Sequence, residues 1–224
     1  MKEKLRLMPK NRGFVAKLVV VTSLVLTMTI LGATYAYQRH ENELDNLLKA
    51  HNISGTIIEN GVPTGEQEDF AINPGGAPVS KEVKFENTSD SGAAVFVRVA
   101  YAQTWMDEDG ALLAYDSTYA TPNWSSAWTS QWIDGGDGWY YYNEVLKAGD
   151  ITLAVLESVN FASSLPGGYA TGQYQLTFMM EVVQCSDEEE VNEAASLATF
   201  GKKATVSDMT TENGAVTGGT VSWD

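Results

Sequence analysis

The sequence predicts an all-β fold: an antiparallel β-sandwich of jelly-roll type with short helical segments, a closed barrel being the alternative. Three observations carry this. Several short runs alternate apolar and polar residues, the two-residue period of a strand with one buried face. Gln173–Val183 is the clearest, with Tyr174, Leu176, Phe178, Met180 and Val182 on one side. Clusters of Gly, Asn, Asp and Ser separate these runs and read as turns. Hydrophobic residues make up 44% of the chain, enough for a core, and 20 glycines against 6 prolines suit short strands better than a helical bundle.

Before the first strand, the chain carries a different kind of signal. Lys2, Lys4, Arg6, Lys10, Arg12 and Lys17 precede Leu18–Leu31, which has no charge, and Ala33-Thr34-Tyr35-Ala36 follows. A basic region, an apolar region and a small-residue site are the layout of a secretory signal peptide over residues 1–36. Cleavage is expected between Ala36 and Tyr37. The apolar run is shorter than the ~20 residues a spanning helix needs, although the uncharged stretch continues to Gln38 and leaves an uncleaved anchor as the alternative. Removing 1–36 leaves 8 basic and 28 acidic residues, a net charge of −20. Nucleic acid and anionic membranes are repelled by such a chain. Cys185 is the only cysteine, so no intramolecular disulfide forms. Export without disulfides points to a Gram-positive bacterial surface.

The mature chain then reads in order. Residues 37–52 form an N-terminal arm or short helix, with Leu44, Leu47 and Leu48 on one helical face. Asn52–Glu59 is the first strand, and Asn60–Pro78, rich in Gly, Pro and acids, is a long loop. Val79–Glu86 and Ala93–Tyr101 alternate around the polar turn Asn87–Gly92. They read as neighbouring antiparallel strands, or as strands of opposite sheets. Gln103–Tyr119 reads as a hairpin turning at Asp107–Gly110. Trp124, Trp128 and Trp132 recur every four residues, a spacing that fits one side of a helix or of a strand. Asp134–Asp137 turns the chain into Trp139-Tyr140-Tyr141-Tyr142. The block Gly138–Phe161 then reads as a hairpin strand, a turn at Gly149 and a following apolar segment. The sandwich domain thus covers 53–184. Residues 185–224 hold an acidic helix, with Asp187–Glu190 at its start, and a Gly/Thr-rich tail with one or two weak strands.

Catalytic chemistry is not encoded in these motifs. His40 and His51, the two histidines, would sit ~16 Å apart along a helix, too far for one metal ion. No HExxH, G-x-S-x-G elbow or phosphate-binding glycine pattern is present. The acidic turns at Asp107–Gly110 and Asp134–Asp137 carry calcium-type oxygens without EF-hand spacing. The expectation is no enzyme, no metal and no cofactor. Trp105, Trp124, Trp128 and Trp132 are either sandwich core or, if exposed, a strip for stacking sugar rings.

Four ordered stretches carry a family resemblance. Leu31-Gly32-Ala33-Thr34-Tyr35-Ala36-Tyr37 is followed by Asn52-Ile53-Ser54-Gly55-Thr56-Ile57-Ile58-Glu59. Phe85-Glu86-Asn87-Thr88-Ser89-Asp90-Ser91-Gly92 leads to Val95-Phe96-Val97-Arg98-Val99. Asp137-Gly138-Trp139-Tyr140-Tyr141-Tyr142-Asn143 leads to Val145-Leu146-Lys147-Ala148-Gly149, and Glu181-Val182-Val183-Gln184 is a weaker fifth match. In these the chain resembles the TasA/camelysin family, bacterial surface and biofilm-matrix fibre proteins exported through a SipW-type signal peptidase. The resemblance implies a jelly-roll-like sandwich in a secreted, extracellular subunit. It also implies polymerisation with itself, and with related minor matrix subunits, by strand addition from an N-terminal segment. The candidate assembly segment lies within Tyr37–Glu59 and includes Tyr37, Ile53, Ile57 and Glu59. Camelysin-type members have been classed as metallopeptidases, which supplies an enzyme alternative for which this chain offers no ligand set.

Overall fold

The computed structural model describes residues 53–63, 72–89 and 92–224. The expected signal peptide, Ala36 and Tyr37, the arm at 37–52 and both histidines lie outside the described residues.

All strand pairing is antiparallel. The first sheet runs β2-β1-β3-β9-β6, built from β1 (Gly55–Glu59), β2 (Val62–Pro63), β3 (Val79–Asn87), β6 (Ala120–Trp124) and β9 (Leu156–Phe161). The second runs β10-β4-β8-β7, from β4 (Val95–Met106), β7 (Trp132–Asp134), β8 (Tyr140–Tyr142) and β10 (Gln173–Gln184). The short β5 (Leu112–Leu113) pairs with the end of β4. The sheets face each other: Phe85 of β3 meets Phe178 of β10 at 5.9 Å, and Trp105 of β4 meets Phe161 of β9 at 6.0 Å. This pairing of two sheet faces is the sandwich arrangement.

Alternation explains which side chains enter the core. Lys81, Val83, Phe85 and Asn87 of β3 are buried while Glu82, Lys84 and Glu86 between them are more exposed. On β10 the same rule buries Tyr174, Leu176 and Phe178. The tryptophan series is neither one helix nor one strand. Trp124 ends β6, Trp128 lies in the short helix α1 (Ser126–Gln131), and Trp132 opens β7. Ser125 caps α1 by accepting from the Trp128 N–H.

β3 and β4 lie in opposite sheets, the second of the two alternatives, so the turn after Asn87 carries the chain across the sandwich. In the Gly138–Phe161 block the hairpin strand pairs with β7 and the chain turns at Gly149, as expected; β8 belongs to the second sheet and β9, the apolar segment, to the first. The segment between them is a crossover held by backbone bonds to both sides. Val95 and Leu146 exchange N–H···O bonds of 2.9 and 3.0 Å on β4; Thr152 and Val155 then donate to Phe85 and Val83 on β3, both at 2.8 Å.

Asn87 ties this crossover to the turn. It is fully buried. Its Nδ2 donates to the Ala93 and Leu146 carbonyls at 2.9 and 2.8 Å, and its Oδ1 accepts from the Ser89 N–H at 3.0 Å. Its own N–H donates to Asp150 O at 3.0 Å, and its carbonyl accepts from Gly149 at 2.8 Å.

The C-terminal region is a third layer. The helix α3 (Glu189–Phe200) and the ribbon β11 (Ala204–Glu212) and β12 (Ala215–Trp223) cover the outer face of the second sheet; the remaining helix, α2 (Gly168–Thr171), is a single turn. They enclose a second core of Phe96, Tyr141, Val145, Val183, Cys185, Phe200, Val216 and Val221. The ribbon turns at Asn213-Gly214, both with positive φ (52° and 82°), the geometry a two-residue hairpin requires.

Two predictions rest on this packing. Asn87→Ala orphans the Ala93 carbonyl and the Ser89 N–H, at ~1 kcal/mol or more each, and leaves the Leu146 carbonyl with the Val95 N–H alone, so chemical denaturation should show a loss of about 2 kcal/mol or more. Burial, with the neighbouring Tyr140, pushes Tyr101 up to about 12, and burial with nearby Asp187 pushes the Cys185 thiol up to about 12. These groups are neutral in the fold and ionise more readily once unfolded. Their stabilisation is therefore complete below their ordinary values and lost as pH rises through 10 towards 12. Melting temperature should fall across that window while tyrosinate absorbance rises with unfolding.

Candidate functional site

The strongest candidate is a groove of about 490 Å³ on the side of the sandwich where β1 and β10 border the two sheets. β1 contributes Gly55, Thr56 and Ile57; β10 contributes Phe178, Met179, Met180 and Glu181; Trp139 closes one side. The walls mix apolar side chains with polar groups, among them the Thr56 hydroxyl and the Glu181 carboxylate.

Gly55 is required by space. A Cβ built there would lie 2.5 Å from the Met180 methyl and 2.8 Å from its sulfur. The missing side chain lets Met180 fold over β1 and close the gap between the sheets. Glycine inside a strand is the sequence sign of such an approach, and the sequence reading passed over it.

Glu181 is held in place by Arg98. Arg98 Nε and Nη2 donate to the same oxygen, Glu181 Oε2, at 2.9 and 2.6 Å. Its Nη1 donates to the Phe200 carbonyl at the end of α3, at 2.8 Å. The guanidinium carbon stands 4.2 Å from the Trp139 ring centre and 4.6 Å from that of Phe200, a double cation–π contact. Burial works against the Arg98 charge, but the Tyr141 hydroxyl and the Glu181 carboxylate outweigh it and hold the group above its usual value. Tyr141 in turn donates to Asp137 Oδ2 at 2.7 Å. Partial burial works to raise the Asp137 carboxyl, but that bond and the Trp139 N–H at 3.0 Å outweigh it and keep the group below its usual value. Groove wall, second sheet and C-terminal layer are thus joined through one arginine.

The residues expected in the assembly segment divide. Ile53 and Ile57 are half-buried against the main core. Glu59 is buried in an ion pair with Lys81. Ile57 and Glu59 pair in register with Phe85 and Val83, so this part of the segment belongs to the subunit's own sheet. Tyr37 lies outside the described residues. Trp139, Met179 and Met180 were not anticipated as groove residues, nor Arg98 as the residue that holds Glu181.

An exposed tryptophan strip does not exist. Trp105, Trp128 and Trp132 are buried. Trp124, half-buried, stacks on Trp128 at 4.9 Å and 18°. The acidic turns bind their own backbone: Asp107 Oδ1 accepts from Asp109 and Ala111, and Asp134 Oδ1 from Gly136. Among the described residues, no group of three or more His, Cys, Asp or Glu is placed to hold a metal ion, and no helix is long and apolar enough to cross a membrane.

Comparison with models of known protein families, with curated proteins and with solved structures finds no match for this chain.

Gly55→Val should displace Met180 and overpack the gap, costing about 1–3 kcal/mol, measured by chemical denaturation. An unchanged midpoint would show that Met180 does not need this space.

Proposed function

We propose that this chain is a secreted structural subunit that assembles into extracellular surface or biofilm-matrix fibres by strand addition between copies. In this reading, residues 1–36 are a signal peptide removed between Ala36 and Tyr37 by a SipW-type peptidase. The sandwich is of jelly-roll type, which the repeated crossing of the chain between sheets supports.

The observation that carries the reading is the asymmetry of the sheet edges. Edge strands invite pairing with another chain, and short length or proline blunts them. β2 has two residues and includes Pro63; β6 contains Pro122; β7 has three residues. β10 has 12 residues, contains no proline and pairs with β4 in unbroken register along its whole length. It is also the edge that borders the groove.

The occupant is residues 37–52 of a second copy. That stretch offers Leu44, Leu47 and Leu48 for the apolar wall, and Arg39 and Lys49 as partners for Glu181. Backbone bonds to the Phe178–Gln184 half of β10 would supply affinity and the alternate side chains the register. Because Gly55–Glu59 is already paired with β3, the exchanged segment ends before it.

Two changes test this. Deleting 37–50 should leave a folded monomer that forms no filaments by electron microscopy. Met179→Lys, at an exposed groove position, should also abolish filaments with little change in melting temperature. Normal filaments from the deletion would overturn the reading.

A further inference from the structure

Glu59 and Lys81 form a buried ion pair that strand addition does not use. Lys81 Nζ lies 2.5 Å from Glu59 Oε2, with side-chain exposures of 4% and 8%. The two come from adjacent strands. Glu59 stands opposite Val83, and Lys81 is two residues before Val83 on the same inward row of β3. The surrounding backbone is fixed. Asn60 donates its N–H to the Glu82 carbonyl and accepts the Glu82 N–H on its Oδ1, both at 2.9 Å. Asn60 and Gly61 take positive φ values of 50° and 82° and return the chain into β2. On the other side, the β3–β9 register shifts between Ser80 and Val83, the stretch that contains Lys81.

We infer that Glu59 and Lys81 are the site of an intramolecular amide cross-link between β1 and β3. The Lys81 nitrogen attacks the Glu59 carboxyl carbon and a C–N bond forms. One carboxylate oxygen leaves as water, taking two hydrogens from the ammonium; the positive and negative charges cancel. No oxidant, cofactor or second substrate enters the balance.

Two physical arguments favour the step at this place. A buried ion pair carries the desolvation cost of both charges, and a neutral amide does not. The Lys81 nitrogen already touches an oxygen of the carboxyl group it would attack, and holding reactants together in this way is how an intramolecular reaction gains over its counterpart in solution. The position also suits an exported chain that cannot form a disulfide of its own. β1 is held by a five-residue ladder to β3 and a two-residue pairing with β2, and the N-terminal arm enters through it. A bond at Glu59 fastens the far end of that strand.

The test is peptide mapping by mass spectrometry of the purified, folded, secreted protein. Glu59 and Lys81 fall in one tryptic peptide, so the expected result is a single internally bridged peptide 50–84, lighter than its sequence mass by one water and uncut after Lys81, whose fragmentation shows no breaks between Glu59 and Lys81. Lys81→Met and Glu59→Ala should each restore the full mass. If either variant fails to fold, the wild-type map decides alone. Cleavage after Lys81 to give peptide 50–81 at its full sequence mass would overturn the proposal, as would a water loss mapped elsewhere. The measurement is independent of whether the protein polymerises.

Discussion

Every polar atom of the Asn87 side chain, and both of its backbone groups, bonds to other backbone. Its partners belong to three different parts of the chain: Ser89 and Ala93 in the connection to β4, the crossover at Leu146, and the turn within that crossover at Gly149–Asp150. The crossover in turn bonds β4 at Val95 and β3 at Phe85. One buried amide therefore sets how far apart the two sheets stand at this end of the sandwich. A leucine would fill the same volume but leave the Ala93 carbonyl and the Ser89 N–H without partners, and inside a protein that loss exceeds the worth of the bond itself. The same geometry gives a physical reason for two short motifs, Phe85–Gly92 and Val145–Gly149, to occur together in one chain. They are the two halves of one hydrogen-bonded joint.

The space that Asn87 opens is filled by aromatic rings. Trp128 lies 4.4 Å from Tyr140, and Trp132 meets Phe85 at 5.3 Å and Tyr142 at 4.9 Å. Rings from β3, β8, α1 and β7 thus pack as one body. The aromatic density that could have lined a sugar-binding face is needed to bridge two sheets whose strands near β7 and β8 are only three residues long. Short strands supply few ladder bonds, so side-chain packing carries the stability there.

This also explains what was legible in the sequence. Alternation reports which face of a strand is buried, so β3, β4 and β10 could be read, and Phe85 and Tyr174 placed inward. It does not report which sheet a strand joins. The turn after Asn87 looks like a hairpin turn until its hydrogen bonds are known, and nothing in the pattern of Gly138–Phe161 tells that β8 and β9 join different sheets. The C-terminal layer was harder to read. The acidic start of α3 was plain, but the ribbon's strands carry polar outward residues and glycines at 218 and 219, which dilute the pattern. Asn213-Gly214 was the available turn signal, as Asn60-Gly61 was for β1 and β2. The groove was illegible because it depends on Gly55 facing Met180, a meeting between strands more than a hundred residues apart in sequence.

The third layer bears on where another molecule could attach. The outer face of the second sheet is closed by α3 and the ribbon. The outer face of the first sheet is polar, with Glu82, Lys84 and Glu86 on β3, an ion pair of 2.7 Å between Lys84 and Glu82, and Asn123 bonded to Ser158. Neither face offers the apolar area that face-to-face association requires. Arg98 then links the closed side to the open edge: it holds the end of α3 and, through Glu181, the wall of the groove. A polymer built on that edge would load β10 on one subunit and the chain entering β1 on its neighbour. These two strands border one groove, and each is secured from behind, β10 by Arg98 and β1 by the Glu59–Lys81 contact. Under the proposed strand addition, both contacts therefore stand at the strands on which the load would fall.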